Sequence, residues 1–400
     1  MTGRRPLRVA CVITRLEGGA GMLALRGAKL LDPALFQVTM VTGSGDRLIG
    51  EASEAGIEVV TEPSLRAALD PVADITALRR LGRLMRQRRF DIVHTHTSKA
   101  GAAGRLAARR AGISRIVHTY HGFGFHSFQS PARRRAYLAV ERRLGRITDL
   151  ALCVGTGVAV EAVQRRLISP ERVRTIGVAV DGLPAPGSNG APLFARQAAA
   201  RALARAELGL PAGATVVGAV GRLTYQKAPE DFLAALRALR RPGVVGVWVG
   251  EGDLARRVAR LAAGQPEAPV VLAGERHDVP GLLPAFDVFT LPSRYEGLPT
   301  AVVEAMVCGV PVVATAVNAV GDVVVPGETG LLVPPARPDL LAGALRYLLD
   351  SPAEAARMAE AAHARLGPRY GNEALRDALT AAYTPGKNLT ARSHTSLITG

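Results

Sequence analysis

Two carboxylates eight positions apart, Glu296 and Glu304, lie in the segment with the clearest chemical pattern. Residues 286–316 alternate an apolar run, a loop, a helix and a second apolar run, which places Glu296 in the loop and Glu304 one turn into the helix. Carboxylates accept hydrogen bonds from the hydroxyls of sugar rings or ribose, and the amino end of a helix favours an anion. A sugar nucleotide carries both hydroxyls and anionic phosphates. The alternative interpretation is a loop glutamate and a solvated helix glutamate.

Two cations follow another apolar run. In residues 214–236, a predicted strand ends at Gly221, and Arg222 and Lys227 lie in the loop before a predicted helix near Pro229. Arginine can bind a phosphate with two parallel hydrogen bonds, and lysine acts as a point charge. This loop is therefore a candidate diphosphate site, with ordinary surface cations as the alternative.

Glycine-rich turns follow two further predicted strands. Gly18 and Gly19 come after the run at 7–13, and Gly250, Glu251 and Gly252 come after the run at 244–249. Glycine lets a backbone approach a phosphate closely. Each turn alone is a weak signal, because a plain tight turn has the same composition and the second is too short for a dinucleotide fingerprint.

Strands alternate with helices along the chain, which predicts parallel sheets covered on both faces. With 400 residues and 48% hydrophobic content, we expect two α/β domains. The predicted boundaries are 1–180 for the first domain, 181–213 for a linker rich in Pro, Gly and Ala, 214–383 for the second domain, and 384–400 for a flexible tail.

The charge of the chain is uneven. The net charge is +16, and residues 79–174 carry 21 Lys or Arg against 5 Asp or Glu. Aromatic residues make up only 4%, which disfavours nucleic acid. A solvated face is the default interpretation of the basic helix predicted near 131–147, and contact with an anionic membrane or acceptor is the alternative.

Neither a signal peptide nor a membrane-spanning run is predicted, so we expect a cytoplasmic protein, peripheral to the inner membrane face if the basic surface binds lipid. Three isolated cysteines agree with a reducing compartment. Histidines at predicted strand ends lack acidic or thiol partners at ligand spacing, and no DxD-type carboxylate pair occurs in a phosphate loop. We expect no metal and no required cofactor.

Four motifs in order resemble glycosyltransferase family 4. They are the Gly-Gly turn, the HTYHG segment at 118–122, the GRL and QK segment at 221–227, and the block from Glu296 through EAMVCGVPVVAT. The resemblance spans about 7–383. It implies the GT-B fold, in which two Rossmann-like domains with parallel sheets face each other across a cleft. One departure is Asp322, where many relatives have Glu, and we assign it no role.

The resemblance also implies roles for single residues. Arg222 and Lys227 would bind the donor diphosphate and offset the charge that develops on it, and His121 would orient the sugar near the reacting carbon. Glu296 would bind sugar hydroxyls and Glu304 the ribose. The remaining predicted donor contacts are Gly18, Gly19, Gly250, Glu251, Gly252, Gly297, Leu298, Pro299 and Thr300.

The reaction that the resemblance implies is transfer of a sugar, with retention of anomeric configuration, from a nucleotide diphosphate donor to an acceptor hydroxyl. A UDP-sugar is favoured over a GDP-sugar, and the donor is a co-substrate. Expected acceptors are a lipid-linked sugar, a polysaccharide or a small molecule, in bacterial surface polysaccharide or glycolipid synthesis. The alternatives are a natural-product glycosyltransferase, a sugar-nucleotide epimerase of the same fold, and a non-catalytic nucleotide-binding protein.

Overall fold

The computed structural model describes residues 5–125, 129–180, 193–211, 213–366 and 370–384. The chain divides into two compact units. The first comprises the residues up to Thr119, the segment Leu144–Ala151 and the residues from Glu373. The second comprises Tyr120–Arg143 and Leu152–Asn372.

A seven-stranded sheet has the order β3-β2-β1-β4-β5-β6-β7. Its strands are Leu7–Leu16 (β1), Phe36–Gly45 (β2), Glu58–Thr61 (β3), Ile92–His96 (β4), Arg115–Tyr120 (β5), Leu150–Cys153 (β6) and Val173–Thr175 (β7). The pairs from β3 through β5 are parallel, for example with Val9 opposite Val38 and Ile92. The first six strands therefore follow the 3-2-1-4-5-6 order of a Rossmann sheet.

A six-stranded sheet lies in the second unit and has the order β10-β9-β8-β11-β12-β13. Its strands are Thr215–Val220 (β8), Val244–Val249 (β9), Val270–Leu272 (β10), Val288–Leu291 (β11), Val312–Thr315 (β12) and Leu331–Val333 (β13). Every pair of neighbours in it is parallel. Renumbered from its own first strand, this order is again 3-2-1-4-5-6.

Helices follow most strands, as parallel crossovers require. They are Gly18–Leu30 (α1), Arg47–Glu54 (α2), Pro71–Arg88 (α3), Ser98–Ala111 (α4), Pro131–Arg146 (α5), Thr156–Gln164 (α6), Leu193–Glu207 (α7), Pro229–Leu239 (α8), Ala255–Ala263 (α9), Val279–Leu282 (α10), Thr300–Val307 (α11), Pro338–Asp350 (α12), Pro352–Leu366 (α13) and Asn372–Tyr383 (α14). Short 3₁₀ turns occupy Pro170–Arg172, Leu283–Ala285 and Asn318–Asp322.

The central strands are apolar because both of their faces are covered. All six residues of β9 are buried, and Trp248 packs edge-on against Phe232 of α8 at 5.4 Å between ring centroids. In the first unit, β1 buries Val9 to Ile13 completely or nearly so. These rigid strands hold the loops at their carboxyl ends in place.

The prediction of two parallel α/β domains is confirmed. The domain boundaries at 180, 214 and 383 stay predictions, and the structure adds that α14 packs within the first unit. The tail at 385–400 and the first twelve residues of the predicted linker, 181–192, lie outside the described residues, whereas the later part of the linker contains α7. Among the helices described, none combines the length and apolarity needed to cross a membrane.

Candidate functional site

The strand order of the second sheet reverses between β8 and β11, its two central strands. Ligands of open α/β sheets bind beyond the carboxyl ends of the strands at such a switch point. The loop after β8 carries Arg222 and Lys227, and the loop after β11 carries Glu296. The predicted cations and the predicted carboxylate therefore come from the two loops that meet at this point.

Lys227 and Glu296 form an ion pair, with 2.6 Å between Nζ and Oε1. Ser293 Oγ donates to the same oxygen at 2.6 Å, and Gln226 Nε2 lies 3.4 Å from Oε2. Glu296 is only 8% exposed. Because these donors hold a nearly buried carboxylate, the ammonium group of Lys227 is also held in one position.

Arg222 lies at the start of the same loop and is exposed. Within the described part of the chain, its guanidinium forms no ion pair with a carboxylate. Arg222 also lies near Tyr295. Burial and the charge of Glu296 raise the pKa of the Tyr295 phenol, and the charge of Arg222 opposes that rise. A cation with no acidic partner among the described residues, in the same loop as a fixed ammonium group, suits an anionic ligand.

The turn of Gly250, Glu251 and Gly252 packs directly on the loop after β8. A Cβ added to Gly250, whose φ is +134°, would lie 2.3 Å from the Gly221 carbonyl oxygen. A Cβ on Gly252 would lie 2.5 Å from the carbonyl oxygen of Leu223, whose amide donates to the Glu251 carbonyl at 2.9 Å. These glycines are therefore needed for close backbone packing, and the side chain of Glu251 is exposed.

His121 lies against the Glu296 loop, and both belong to the second unit. A Cβ added to Gly297 would lie 1.8 Å from the His121 carbonyl oxygen, so the two backbones are in direct contact. Burial lowers the pKa of His121 from 6.5 to about 4. The imidazole is therefore neutral near pH 7 and can exchange hydrogen bonds without adding charge.

Glu304 lies one turn into α11, as predicted, and is half-buried. Burial, with a smaller contribution from the Glu304 charge, raises the pKa of Cys308 to about 11. Pro299 is the N-cap residue, Thr300 begins the helix and Leu298 is buried just before it. The N-cap residue Pro299 makes no side-chain hydrogen bond to the first amides of the helix.

Gly18 and Gly19 belong to the first unit. The sequence predicts a turn there, but α1 already begins at Gly18, with Glu17 as N-cap residue. Gly18 has a φ of +59°, a left-handed turn conformation that glycine adopts readily, so the chain turns here as the helix begins. The Gly21 amide donates to the Glu17 carbonyl at 3.2 Å. The glycines thus form the amino end of α1.

A metal site would require a cluster of side chains that could bind a metal ion. Among the described residues, no group of three or more His, Cys, Asp or Glu side chains could hold a metal ion. Metal independence of the reaction stays a prediction.

Comparisons with known proteins agree with this architecture. Residues 17–181 match the model described as Glycosyltransferase Family 4, and residues 214–351 match the model described as Glycosyl transferases group 1. The 2-deoxystreptamine N-acetyl-D-glucosaminyltransferase of Streptomyces fradiae is 32% identical over 351 residues, which cover 79% of each chain. The chain belongs to glycosyltransferase family 4. It is a glycosyltransferase.

This family 4 enzyme is also similar to a second sequence relative and to a solved structure. The UDP-Gal:alpha-D-GlcNAc-diphosphoundecaprenol alpha-1,3-galactosyltransferase of Escherichia coli is 29% identical over 310 residues, covering 76% of this chain and 77% of that one. The crystal structure of HepE from Anabaena in complex with UDP and glucose has a TM-score of 0.77 at 20% identity, covering 94% of this chain and 98% of that chain. The fold is GT-B, with two Rossmann-like domains.

Asn318 contacts this glycosyltransferase site but is not among the site residues predicted from the sequence. Asn318 Oδ1 accepts from the Glu296 amide at 3.2 Å, and its Nδ2 donates to Glu161 of α6 at 3.1 Å. Asn318 has a φ of +42°, a conformation that Asn tolerates better than most residues. The only signal in the sequence is an Asn near the turn that follows β12.

Asp322 has a clear structural contact, although the sequence assigns it no role. Its Oδ2 accepts hydrogen bonds from the amides of Thr156 and Gly157, the latter at 3.3 Å. These are the first amides of α6, which has no cap of its own. A carboxylate at this end of the helix is favourable because it faces the positive end of the dipole.

Proposed function

We propose that this family 4 enzyme transfers a sugar, with retention of configuration, from a nucleotide diphosphate donor to an acceptor hydroxyl. A UDP-sugar is the favoured donor and a GDP-sugar the second choice. The observation that supports this most is the Lys227–Glu296 pair beside the exposed Arg222 at the switch point of the second sheet. It supports the proposal because cations suit a diphosphate and the carboxylate can accept hydrogen bonds from hydroxyls.

In this proposal the two cations act on the leaving group. One of the three N–H donors of Lys227 is used by Glu296, which leaves two for phosphate oxygens. Arg222 adds a forked donor from the same loop. As the bond between the anomeric carbon and the phosphate oxygen breaks, both stabilise the negative charge that grows on the diphosphate.

The sugar would lie against Glu296 and His121. Among the residues that the structure describes, the second oxygen of Glu296 accepts only from Gln226, at 3.4 Å, so sugar hydroxyls can donate to it. A neutral His121 adds a hydrogen-bonding group without a positive charge beside the departing phosphate. Glu304 would accept the ribose hydroxyls. The acceptor oxygen bonds to the anomeric carbon on the face that the phosphate leaves, and its proton passes to the departing phosphate oxygen.

The acceptor we propose is a lipid-linked sugar in bacterial surface polysaccharide or glycolipid synthesis, used at the inner face of the membrane. The name of the Escherichia coli relative, which includes a diphosphoundecaprenol acceptor, supports this choice. The name of the Streptomyces fradiae relative, at 32% identity, favours a small aminocyclitol acceptor as the second candidate.

The test is to incubate the purified chain with single UDP-sugars and GDP-sugars and with each acceptor class, in EDTA. We expect one donor to release its nucleotide only with acceptor, and NMR of the product to show the donor's anomeric configuration. Inversion would contradict the mechanism, and restoration of turnover by Mg²⁺ alone would contradict metal independence. Epimerisation of donor alone would identify an epimerase, and absence of nucleotide binding by calorimetry would indicate a non-catalytic protein.

A further inference from the structure

Three large apolar side chains are exposed close together in the first unit. Leu69 is 77% exposed, Val72 is 76% exposed and Ile75 is 51% exposed. Leu69 lies just before α3, and Val72 and Ile75 lie in its first turns. Single exposed apolar residues are ordinary, whereas three within seven residues form a patch.

The patch is held rigidly. Asp70 caps α3 by accepting from the Ala73 amide at 3.0 Å, and Pro71 begins the helix. Lys99 donates to the Ala68 carbonyl at 2.6 Å and pairs with Asp74 at 2.5 Å. The two acids beside the patch, Asp70 and Asp74, are therefore engaged by contacts within the fold.

Arginines continue the same face of α3. Arg79, Arg83 and Arg86 lie seven, eleven and fourteen positions after Val72, which places them within about 40° of it around the helix axis. All three are exposed, and none forms an ion pair with an acid in the described parts of the chain. The opposite face buries Ala77, Leu81 and Met85 in a core cluster shared with the sheet and α4. We call the six outward residues, Leu69, Val72, Ile75, Arg79, Arg83 and Arg86, the apolar-basic stripe.

We propose that the apolar-basic stripe docks on an anionic lipid bilayer. Its exposed apolar side chains can insert between lipid headgroups, and its arginines are opposite in charge to lipid phosphates. The basic helix expected from sequence, α5, is less suited, because Val140 is its only exposed large apolar residue among those described. The proposal depends on no donor or acceptor and goes beyond the transfer reaction.

Vesicle co-sedimentation of the full chain tests this surface. We expect binding to vesicles of phosphatidylglycerol and phosphatidylcholine in equal parts, weakening with salt, and little binding to phosphatidylcholine alone. The variant L69S/V72S/I75S should bind the anionic vesicles about tenfold more weakly, because three inserted side chains are lost. The variant R79Q/R83Q/R86Q should lose affinity and most of its salt dependence.

A matched control is Leu203→Ser, which removes an apolar side chain that is 73% exposed on α7, where Arg205 is paired with Asp287 at 2.9 Å. It should bind as the unmodified chain does. Circular dichroism checks folding, and the arginine variant decides if the apolar variant does not fold. Unchanged vesicle binding of both folded variants would overturn the proposal. The proposal would also be overturned if light scattering showed a dimer that dissociates in the apolar variant while vesicle binding is unchanged. The stripe would then bind a second copy of the chain.

Discussion

Lys227 and Glu296 show how one contact can serve both the fold and the site. The carboxylate is nearly buried and receives a lysine, a serine and a glutamine side chain, while Arg222 beside them is exposed. A pair held for stability alone would not require a second cation in the same loop that lacks an acidic partner among the described residues. The stability and activity of the pair can therefore be measured separately.

Lys227→Met should destabilise the protein by about 3 kcal/mol, because Glu296 then keeps a buried charge without its partner. Lys227→Met/Glu296→Gln should recover most of that free energy of unfolding, measured by urea denaturation, because the buried charge is gone. Transfer should nevertheless stay at least about 100-fold low in the double variant. Arg256→Ala, which removes an exposed arginine of α9, is the control for charge alone. Wild-type transfer in the double variant would rule out the proposed role.

The lowered pKa of His121 predicts that the stability of the protein depends on pH. Its folded pKa of about 4 lies below the ordinary 6.5, so the unfolded chain takes up a proton first. The stabilisation from the neutral ring is full above pH 6.5 and is lost as pH falls toward 4. Urea denaturation across this range should show a weaker pH dependence for His121→Asn. The exposed His277 provides the control, and His277→Asn should leave the profile unchanged. An NMR titration of His121 with a midpoint near 6.5 would contradict this assignment.

At the scale of elements, the strand order decides which loops meet. The loops after β8 and β11 are adjacent because these two strands are parallel neighbours at the point where the strand order reverses, and the turn after β9 packs on the first of the two loops. Asn318, just after β12, then connects the Glu296 amide to α6. Each loop thus supports its neighbour, so a small backbone shift in one should disturb the whole site.

Gly297→Ala tests that coupling. The new Cβ would overlap the His121 carbonyl oxygen at 1.8 Å, so one backbone must move. We expect a loss of about 2 kcal/mol in the free energy of unfolding together with a large fall in transfer rate. Gly281→Ala, on α10, adds its methyl group to open space and should change neither quantity by much. Equal behaviour of the two variants would show that the contact is unimportant.

At the scale of the whole molecule, the last described helix returns to the first sheet. Tyr383 of α14 lies 2.7 Å from His94 Nδ1 of β4, and Arg115 of β5 donates to the Ala382 carbonyl at 3.0 Å. Leu379 packs at Gly27 of α1. The first unit is therefore assembled from both ends of the described chain.

Tyr383→Phe should lower the free energy of unfolding by about 1–2 kcal/mol, because the buried His94 ring loses a hydrogen-bond partner. Urea denaturation measures the change. Tyr347→Phe removes the hydroxyl of a tyrosine that is exposed on α12 and should have no effect. Equal stability of both variants would mean that α14 contributes packing alone.

Much of the local architecture could be predicted from local patterns. Apolar runs and turn residues located the strands that end before Gly18, Arg222 and Glu296, since side-chain periodicity and backbone preference act over a few residues. The same patterns correctly placed Glu304 one turn into α11. Whether these residues bind a donor stays a prediction.

The contacts of Asn318 and Asp322 could not be predicted in this way. Asn318 bonds to Glu161, 157 positions earlier, and Asp322 bonds to the Thr156 amide, 166 positions earlier. Neither residue has neighbours of a distinctive type in the chain. Such partners are set by how elements pack, which no short pattern encodes.

The sequence by itself determined the α/β class, the family and the positions of the charged loops, because these follow from residue types over short spans. Only the tertiary structure decided that Lys227 pairs with Glu296, that His121 is held neutral against Gly297, that α14 joins the first unit, and that Leu69 and its neighbours are exposed. The physical reason is the same in each case: distance, burial and exposure depend on the three-dimensional arrangement of segments that are far apart in the chain.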